Sequence, residues 1–292
     1  MQDEPTREEL TVPQQPPFGS VLVGVDSTPT GRDAIALADR LCAPSGRLTL
    51  ANIVLMPSPT YHNFHASRAW RTRREMLERE RDAIGVSADL TGMFAPSVGS
   101  GLHQLGTDCG ADLLVVGSSS RGPVGRVLAG DDARGTVSGA VCPVAVAPHG
   151  YADQSDGIKT VGIAYDGGAE ATAALAVARE VAAVHRARLL ALTVVAPAAG
   201  AARRVRILEQ AARDSLRQLE DVEGRVAVGA PADELVAFGD ELDLLVVGSS
   251  GRGPLRRLIL GSTSLQLTRE ARCPLLVIPR SAVAEHVPGP TG

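Results

Sequence analysis

The stretch with the most chemical content runs from Asp243 to Ser264, DLLVVGSSGRGPLRRLILGSTS. An apolar run, Leu244 to Val247, stops at Gly248. A turn rich in glycine and serine follows, then a basic connection, then Gly261 and three hydroxyl residues, Ser262, Thr263 and Ser264. A strand that gives way to a glycine turn and a new helix start aims several backbone N–H groups one way, which suits an anion. Gly248 and Gly251 permit positive φ and would let a ligand approach the backbone closely. The helix begun at Gly261 would offer its first N–H groups, and its hydroxyls, to anionic oxygens. Ser249 lies in the turn. Arg252 is a candidate anion neighbour, although the solvent face of the loop suits it equally well.

A near copy stands upstream, DLLVVGSSSRGPVGRVLAGDDA from Asp112 to Ala133. Gly117 matches Gly248, and Cys142 matches Cys273, at an offset of 131; Asp26 matches Asp166 at 140. The chain is therefore an internal duplication. The first copy carries a nine-residue excess between its first strand and its glycine turn, placed here at the aromatic and histidine-containing piece Tyr61 to Trp70.

The elements that must position these residues read in one order twice. Val21–Val25, Leu48–Leu55, Ala88–Phe94, Leu113–Val116 and Val144–Ala147 are short apolar strands. Arg32–Leu41 has helical spacing, and Ala66–Ile84 is a charged helix supported by Arg71/Glu75 and Arg74/Glu78. In the second half the strands are Val161–Ala164, Leu189–Val195, Arg225–Val228, Leu244–Val247 and Leu275–Ile278. Ala171–Val184 and a segment whose face is Val205, Leu208, Ala212 and Leu219 are its helices. That second face is expected in the core. His149–Gly157 is polar and reads as a linker. Apolar strands alternating with helices imply parallel sheets covered on both faces. The expected fold is α/β, with two tandem doubly wound five-stranded sheets in Rossmann-like order 3-2-1-4-5, one in residues 18–150 and one in 157–280. In such a sheet ligands sit beyond the carboxyl ends of strands 1 and 4. That crevice brings Asp166 to the glycine turn.

Gly248-x2-Gly251-x9-Gly261-Ser262 resembles the G-x2-G-x9-G-[S/T] pattern of the ATP-binding universal stress proteins. The aspartate after strand 1 and the Cys-Pro before strand 5 are also similar to that family, and the resemblance covers both halves. It implies a bound ATP with Mg²⁺, held by Gly248, Ser249, Gly251, Arg252, Gly261, Ser262, Thr263 and Ser264. Asp166 would accept from ribose hydroxyls or the adenine amino group, and Val194 would line the adenine pocket. It also implies that strand 5 makes a dimer contact, so the halves should pair as a pseudo-symmetric dimer within one chain, with further homodimerisation open. A role as nucleotide-dependent sensor in stress response follows, with an unknown protein partner. A nucleotide-independent interaction module is the alternative, docking through the helix of Arg68–Arg81.

The first half departs from the pattern. Ser120 replaces the second glycine, and Asp131-Asp132 stand where Ser262-Thr263 stand. Two like charges about 4 Å apart cost on the order of 4 kcal/mol at an effective dielectric near 20. A helix dipole returns only ~0.3–1 kcal/mol to an anion. The first half is thus expected to bind ATP poorly, leaving Asp26, Ile53, Gly117 and Gly130 as relics or for an uncharged ligand.

Other chemistry is thinly represented. There is no GxxxxGK[ST] loop, and the single lysine, Lys159, precedes a strand. The HxGH and SGGxD signatures of adenylating or pyrophosphatase-type relatives are absent, so slow ATP hydrolysis is the most that is expected by way of catalysis. His62 and His65 lack ligand partners at metal spacing, and the four cysteines form no metal pattern. Cys142 and Cys273 read as buried strand positions. With a net charge of −4 the chain has no global attraction to nucleic acid or anionic membrane. The acidic start and the lack of a long apolar run point to a cytoplasmic protein with no membrane contact.

Overall fold

The computed structural model describes residues 17–55, 66–119, 124–125, 127, 129–197, 202–249 and 261–279. The first half runs β1 (Phe18–Gly24), α1 (Pro29–Leu41), β2 (Cys42–Leu55), α2 (Ala66–Ile84), β3 (Asp89–Ala95), α3 (Val98–Asp108), β4 (Leu113–Gly117), α4 (Asp131–Val137) and β5 (Val144–Ala147). The second runs β6 (Thr160–Ala164), α5 (Ala169–His185), β7 (Arg188–Val195), α6 (Ala202–Arg217), β8 (Glu223–Val228), α7 (Pro231–Phe238), β9 (Leu244–Gly248), α8 (Ser262–Glu270) and β10 (Leu275–Ile278).

Each half has the order 3-2-1-4-5, but the two sheets are joined. One ten-stranded sheet runs β3-β2-β1-β4-β5-β10-β9-β6-β7-β8. The join is antiparallel, with Leu275 opposite Val146, Leu276 opposite Ala145 and Val277 opposite Val144. All four residues of β5 and of β10 are buried. Pairing the two apolar edges removes an exposed ladder that would otherwise invite aggregation. The rest of each half is parallel, so its strands are covered by helices on both faces. On one face Ile35, Leu37 and Val115 of the first half share a core with Ala174, Val246 and Leu276 of the second. That core continues through the join.

The same polar devices recur in both copies. Asp112 Oδ2 and Oδ1 accept from Gly19 N–H and Ser20 N–H at 2.8 and 3.0 Å. Asp243 Oδ2 accepts from Lys159 and Thr160 N–H at 2.9 and 2.8 Å. Each carboxylate satisfies donors at the entry to strand 1 that no ladder reaches.

The linker is a built part of the interface. Tyr151 is buried under the Arg40 guanidinium, 4.7 Å from the ring centroid. Asp33 accepts from Gly150 and Ala152 N–H at 2.9 and 2.8 Å. Across the halves, His185 Nε2 on α5 meets the carbonyl of Arg40 on α1 at 3.0 Å. A strap from the first half also crosses over: Val127 and Ala129 N–H donate to the carbonyls of Ala271 and Thr268, each at 2.7 Å.

Several expectations need correction. Helices α3 and α7 do not stand out in the sequence pattern. Cys142 and Cys273 both precede their strands, and Cys142 is only half-buried. Burial pushes the Cys142 thiol up to about 12 and that of Cys273 higher still. Of the expected core face, Leu208 is 44% exposed, while Val205, Ala212 and Leu219 are half-buried, Leu219 packing against the core just beyond the end of α6. The helix seats its last turn most deeply: Leu216 is its one buried residue among the described ones. Part of the first-half excess lies in α2, which has 19 residues against 16 in α6. Residues 61–65, with His62 and His65, lie outside the described residues. Of the two expected ion pairs on α2, Arg74–Glu78 forms at 3.0 Å. Arg71–Glu75 is not among the ion pairs of the described residues.

Candidate functional site

The crevice between strands 1 and 4 exists in both halves, and each is built from the same parts. In the second half β6 ends in Tyr165 and Asp166, whose Oδ1 accepts from Gly168 N–H at 2.9 Å. Thr193 Oγ1 on β7 donates to the Tyr165 carbonyl at 2.5 Å and fixes that strand end. In the first half Asp26 Oδ1 accepts from Thr28 N–H at 3.0 Å and from Thr28 Oγ1 at 2.6 Å. There Asn52 Nδ2 does the work of Thr193, donating to the Val25 carbonyl at 2.7 Å. Both aspartates are exposed at the mouth of their crevices.

Gly248 does not take positive φ. A Cβ there would lie 2.8 Å from the carbonyl oxygen of Glu170, in the first turn of α5. At Gly117 it would lie 2.1 Å from the carbonyl oxygen of Thr30. Both glycines are required because a helix start packs onto the strand end. The next backbone N–H is likewise committed to the sheet: Ser249 donates to Ile278 and Ser118 to Ala147, each at 2.9 Å.

Helix α8 begins after Gly261, which is extended at φ −67°, ψ 168° and supplies no side-chain cap. Its first intrahelical bond is Leu265 N–H to the Gly261 carbonyl at 2.9 Å. The N–H groups of Ser262, Thr263 and Ser264 precede that bond and have no acceptor within the helix. These are the donors an anion would use.

A cavity of about 290 Å³ lies at this place, lined by Asp166, Glu170, Val194, Gly248, Thr263 and Ser264 among others. The structure therefore brings together five of the residues singled out in the sequence: Asp166, Val194, Gly248, Thr263 and Ser264. Gly261 and Ser262 begin α8 just outside the lining. Ser249 is tucked away, only 2% exposed, and does not face the cavity. Gly251 and Arg252 lie outside the described residues, as does Ser120.

Sequence reading missed Glu170. It borders the cavity where the first half has Thr30, and the offset of 140 that pairs Asp166 with Asp26 would have found it. It adds a second carboxylate to the crevice beside Asp166.

The first-half cavity is larger, about 580 Å³, and Asp26, Ile53, Gly117, Gly130, Asp131 and Asp132 all line it. The Asp131 side chain is 99% exposed and pairs with Arg134 of its own helix at 3.3 Å. Water and the guanidinium screen its charge, so its repulsion of a phosphate is weaker than the unscreened figure of ~4 kcal/mol. The acids change the sign of the helix start without blocking it. Two buried polar atoms here have no partner among the described residues, Asn52 Oδ1 and Ser118 Oγ.

Among the described residues there is no cluster of three or more metal-ligating side chains, and no helix long and apolar enough to cross a membrane.

Known proteins match this architecture. A solved universal stress protein of Archaeoglobus fulgidus superposes with a TM-score of 0.64 at 18% identity, covering 90% of this chain and 98% of its own. A universal stress protein of Mycobacterium tuberculosis is 26% identical over 292 residues, covering 89% of this chain and 99% of the relative. One from Thermus aquaticus is 33% identical over 135 residues, covering 41% of this chain and 98% of its own. The description of the Universal stress protein family matches twice, at residues 17–148 and 157–279. Two crevices of one design, joined through their fifth strands, thus belong to a chain that is a tandem member of the universal stress protein family.

Proposed function

We propose that the chain is a nucleotide-dependent sensor in stress response that holds one ATP in the second-half crevice. The observation that carries this reading is the uncapped start of α8 at a cavity that also presents Asp166. The N–H groups of Ser262–Ser264 and the hydroxyls of Thr263 and Ser264 would bind phosphate oxygens. Gly248 would close the floor, and Val194 would pack against the base. Asp166 would accept from the ribose or the adenine amino group. With Asp166 engaged by the nucleoside, Mg²⁺ would be held mainly by the phosphates and water, as it commonly is, with Glu170 as the second carboxylate lining the crevice.

The lining holds no histidine or lysine among the described residues, which favours binding over turnover. Slow hydrolysis, with Mg²⁺ polarising the phosphate, is the upper limit of the activity.

Thermal melting of the full chain in millimolar Mg-ATP tests the reading. A ligand at a hundred times its Kd stabilises by about 2.7 kcal/mol, so the midpoint should rise by several degrees. The rise should vanish in Gly261→Asp, whose backbone at φ −67° accepts the new side chain. No rise in the unmodified chain would refute the proposal and favour a nucleotide-independent interaction module.

A further inference from the structure

The cavity at α8, about 290 Å³, does not stand alone. A second cavity of about 590 Å³ adjoins it over the carboxyl end of β7, and the two share Asp166 and Val194. This slot lies between β7 and α6 and is lined by Val195, Val205, Leu208 and Ala212. Its lining is mainly apolar, with Thr193, Arg204 and Ser215 as the polar residues besides Asp166 among the described ones.

The slot opens beside α6, which buries little of its own face. Its last turn is seated, where Leu216 fills the space a Cβ at Gly224 would enter at 2.7 Å. Toward its start, Val205 and Ala212 are half-covered and Leu208 is exposed. The matching helix of the first half buries more of its side chains. Met76 and Leu77 of α2 are 4% and 0% exposed, and Glu80 ties it to Arg32 on α1 at 2.5 Å. One half has filled this space with side chains; the other has left an apolar gap that opens onto its ligand crevice.

We propose that the second-half site is built for an adenine nucleotide whose exocyclic amine carries an uncharged apolar substituent, with the substituent in the slot under α6. This rests on the nucleotide reading above. The chemistry at the shared residues favours that edge of the base. Asp166 spends Oδ1 on Gly168 N–H, and Oδ2 accepts no bond among the described residues. A secondary amine keeps one N–H to donate to Oδ2 while its substituent passes Val194 into the slot. Burying apolar surface there gives affinity at ~25 cal/mol per Å² before ordering costs.

Calorimetric titration of the full chain with Mg-ATP and with Mg-N6-benzyl-ATP tests this. The benzyl nucleotide should bind about tenfold tighter, ~1.4 kcal/mol. Ala212→Trp, which fills the slot, should bring the ratio of the two dissociation constants close to one. Leu208→Glu, at an exposed position that tolerates a charge, should lower the same ratio if the tryptophan variant does not fold. ATP binding with no gain for the benzyl nucleotide would overturn this inference alone. A gain that survives both substitutions would also overturn it, because the substituent would then lie elsewhere. Binding of neither nucleotide would overturn this inference and the nucleotide reading together.

Discussion

At the first crevice the helix after the glycine turn opens with Asp131 and Asp132; at the second it opens with Ser262 and Thr263. Everything beneath is shared: an aspartate after strand 1, a polar side chain on strand 2 that holds the preceding carbonyl, and a glycine where a helix start meets strand 4. The surroundings differ again. Thr30 faces the first crevice and Glu170 the second, and α2 buries Met76 and Leu77 where α6 leaves Leu208 exposed. A duplicated frame can thus keep its fold while the mouths of its two crevices diverge, because the residues that hold the sheet are largely separate from those that line the mouth.

The shared frame is where the largest effect is expected. Gly117→Ala forces a methyl to within 2.1 Å of the Thr30 carbonyl, and Gly248→Ala to within 2.8 Å of the Glu170 carbonyl. Overpacking of this kind costs roughly 1–3 kcal/mol and occasionally more. Gly117→Ala should lower the melting midpoint by about 5–10 °C, and Gly248→Ala by less. Equal midpoints would show that the two glycines do not serve as this packing requires.

The divergent mouth comes next. Copying the first half into the second, Ser262→Asp with Thr263→Asp, should weaken Mg-ATP by about 100-fold, ~2.7 kcal/mol, with little change in melting. The reverse exchange, Asp131→Ser with Asp132→Thr, should give the first half a weak affinity, at least about tenfold above that of the unmodified half in a chain whose second site is disabled. Failure of this gain would mean that the first crevice has diverged in more than its charge.

The smallest effect concerns the contact between halves. Burial lowers the pKa of His185. Its neutral form is favoured in the folded chain, so the unfolded chain binds more protons between the folded and unfolded values, and stability rises with pH there. The contribution is present above the ordinary histidine value near 6.5 and is lost as pH falls through the lower folded value. Melting midpoints from pH 7.5 to pH 5 should fall more steeply in the unmodified chain than in His185→Gln. Parallel slopes would remove His185 from the interface energetics.

Much of the frame was legible because duplication repeats it: strand 4 is LLVVG in both copies, and strand 5 follows Cys-Pro in both. Helix α3 was hidden because VGSGLHQLGTD has little helix propensity. It is held by the reciprocal Ser97–Ser100 capping box and by packing against β3 and α4. The linker looked like a tether since its polarity says nothing of Tyr151 docking under Arg40. Gly248 was legible as a glycine the strand end needs, but the packing that requires it and Gly117 was not; the helix starts that crowd them come from more than 70 residues away. The exposure of Leu208 on α6 was invisible, because amphipathic spacing reports which face is apolar and not how fully it is covered.

The inequality of the two crevices is tested most directly by the stoichiometry of Mg-ATP binding to the unmodified full chain, measured by calorimetric titration. One site per chain is expected, lost when Ser262 and Thr263 become aspartates. Two equivalent sites, or one site that survives that change and disappears with Asp26→Ala, would contradict it.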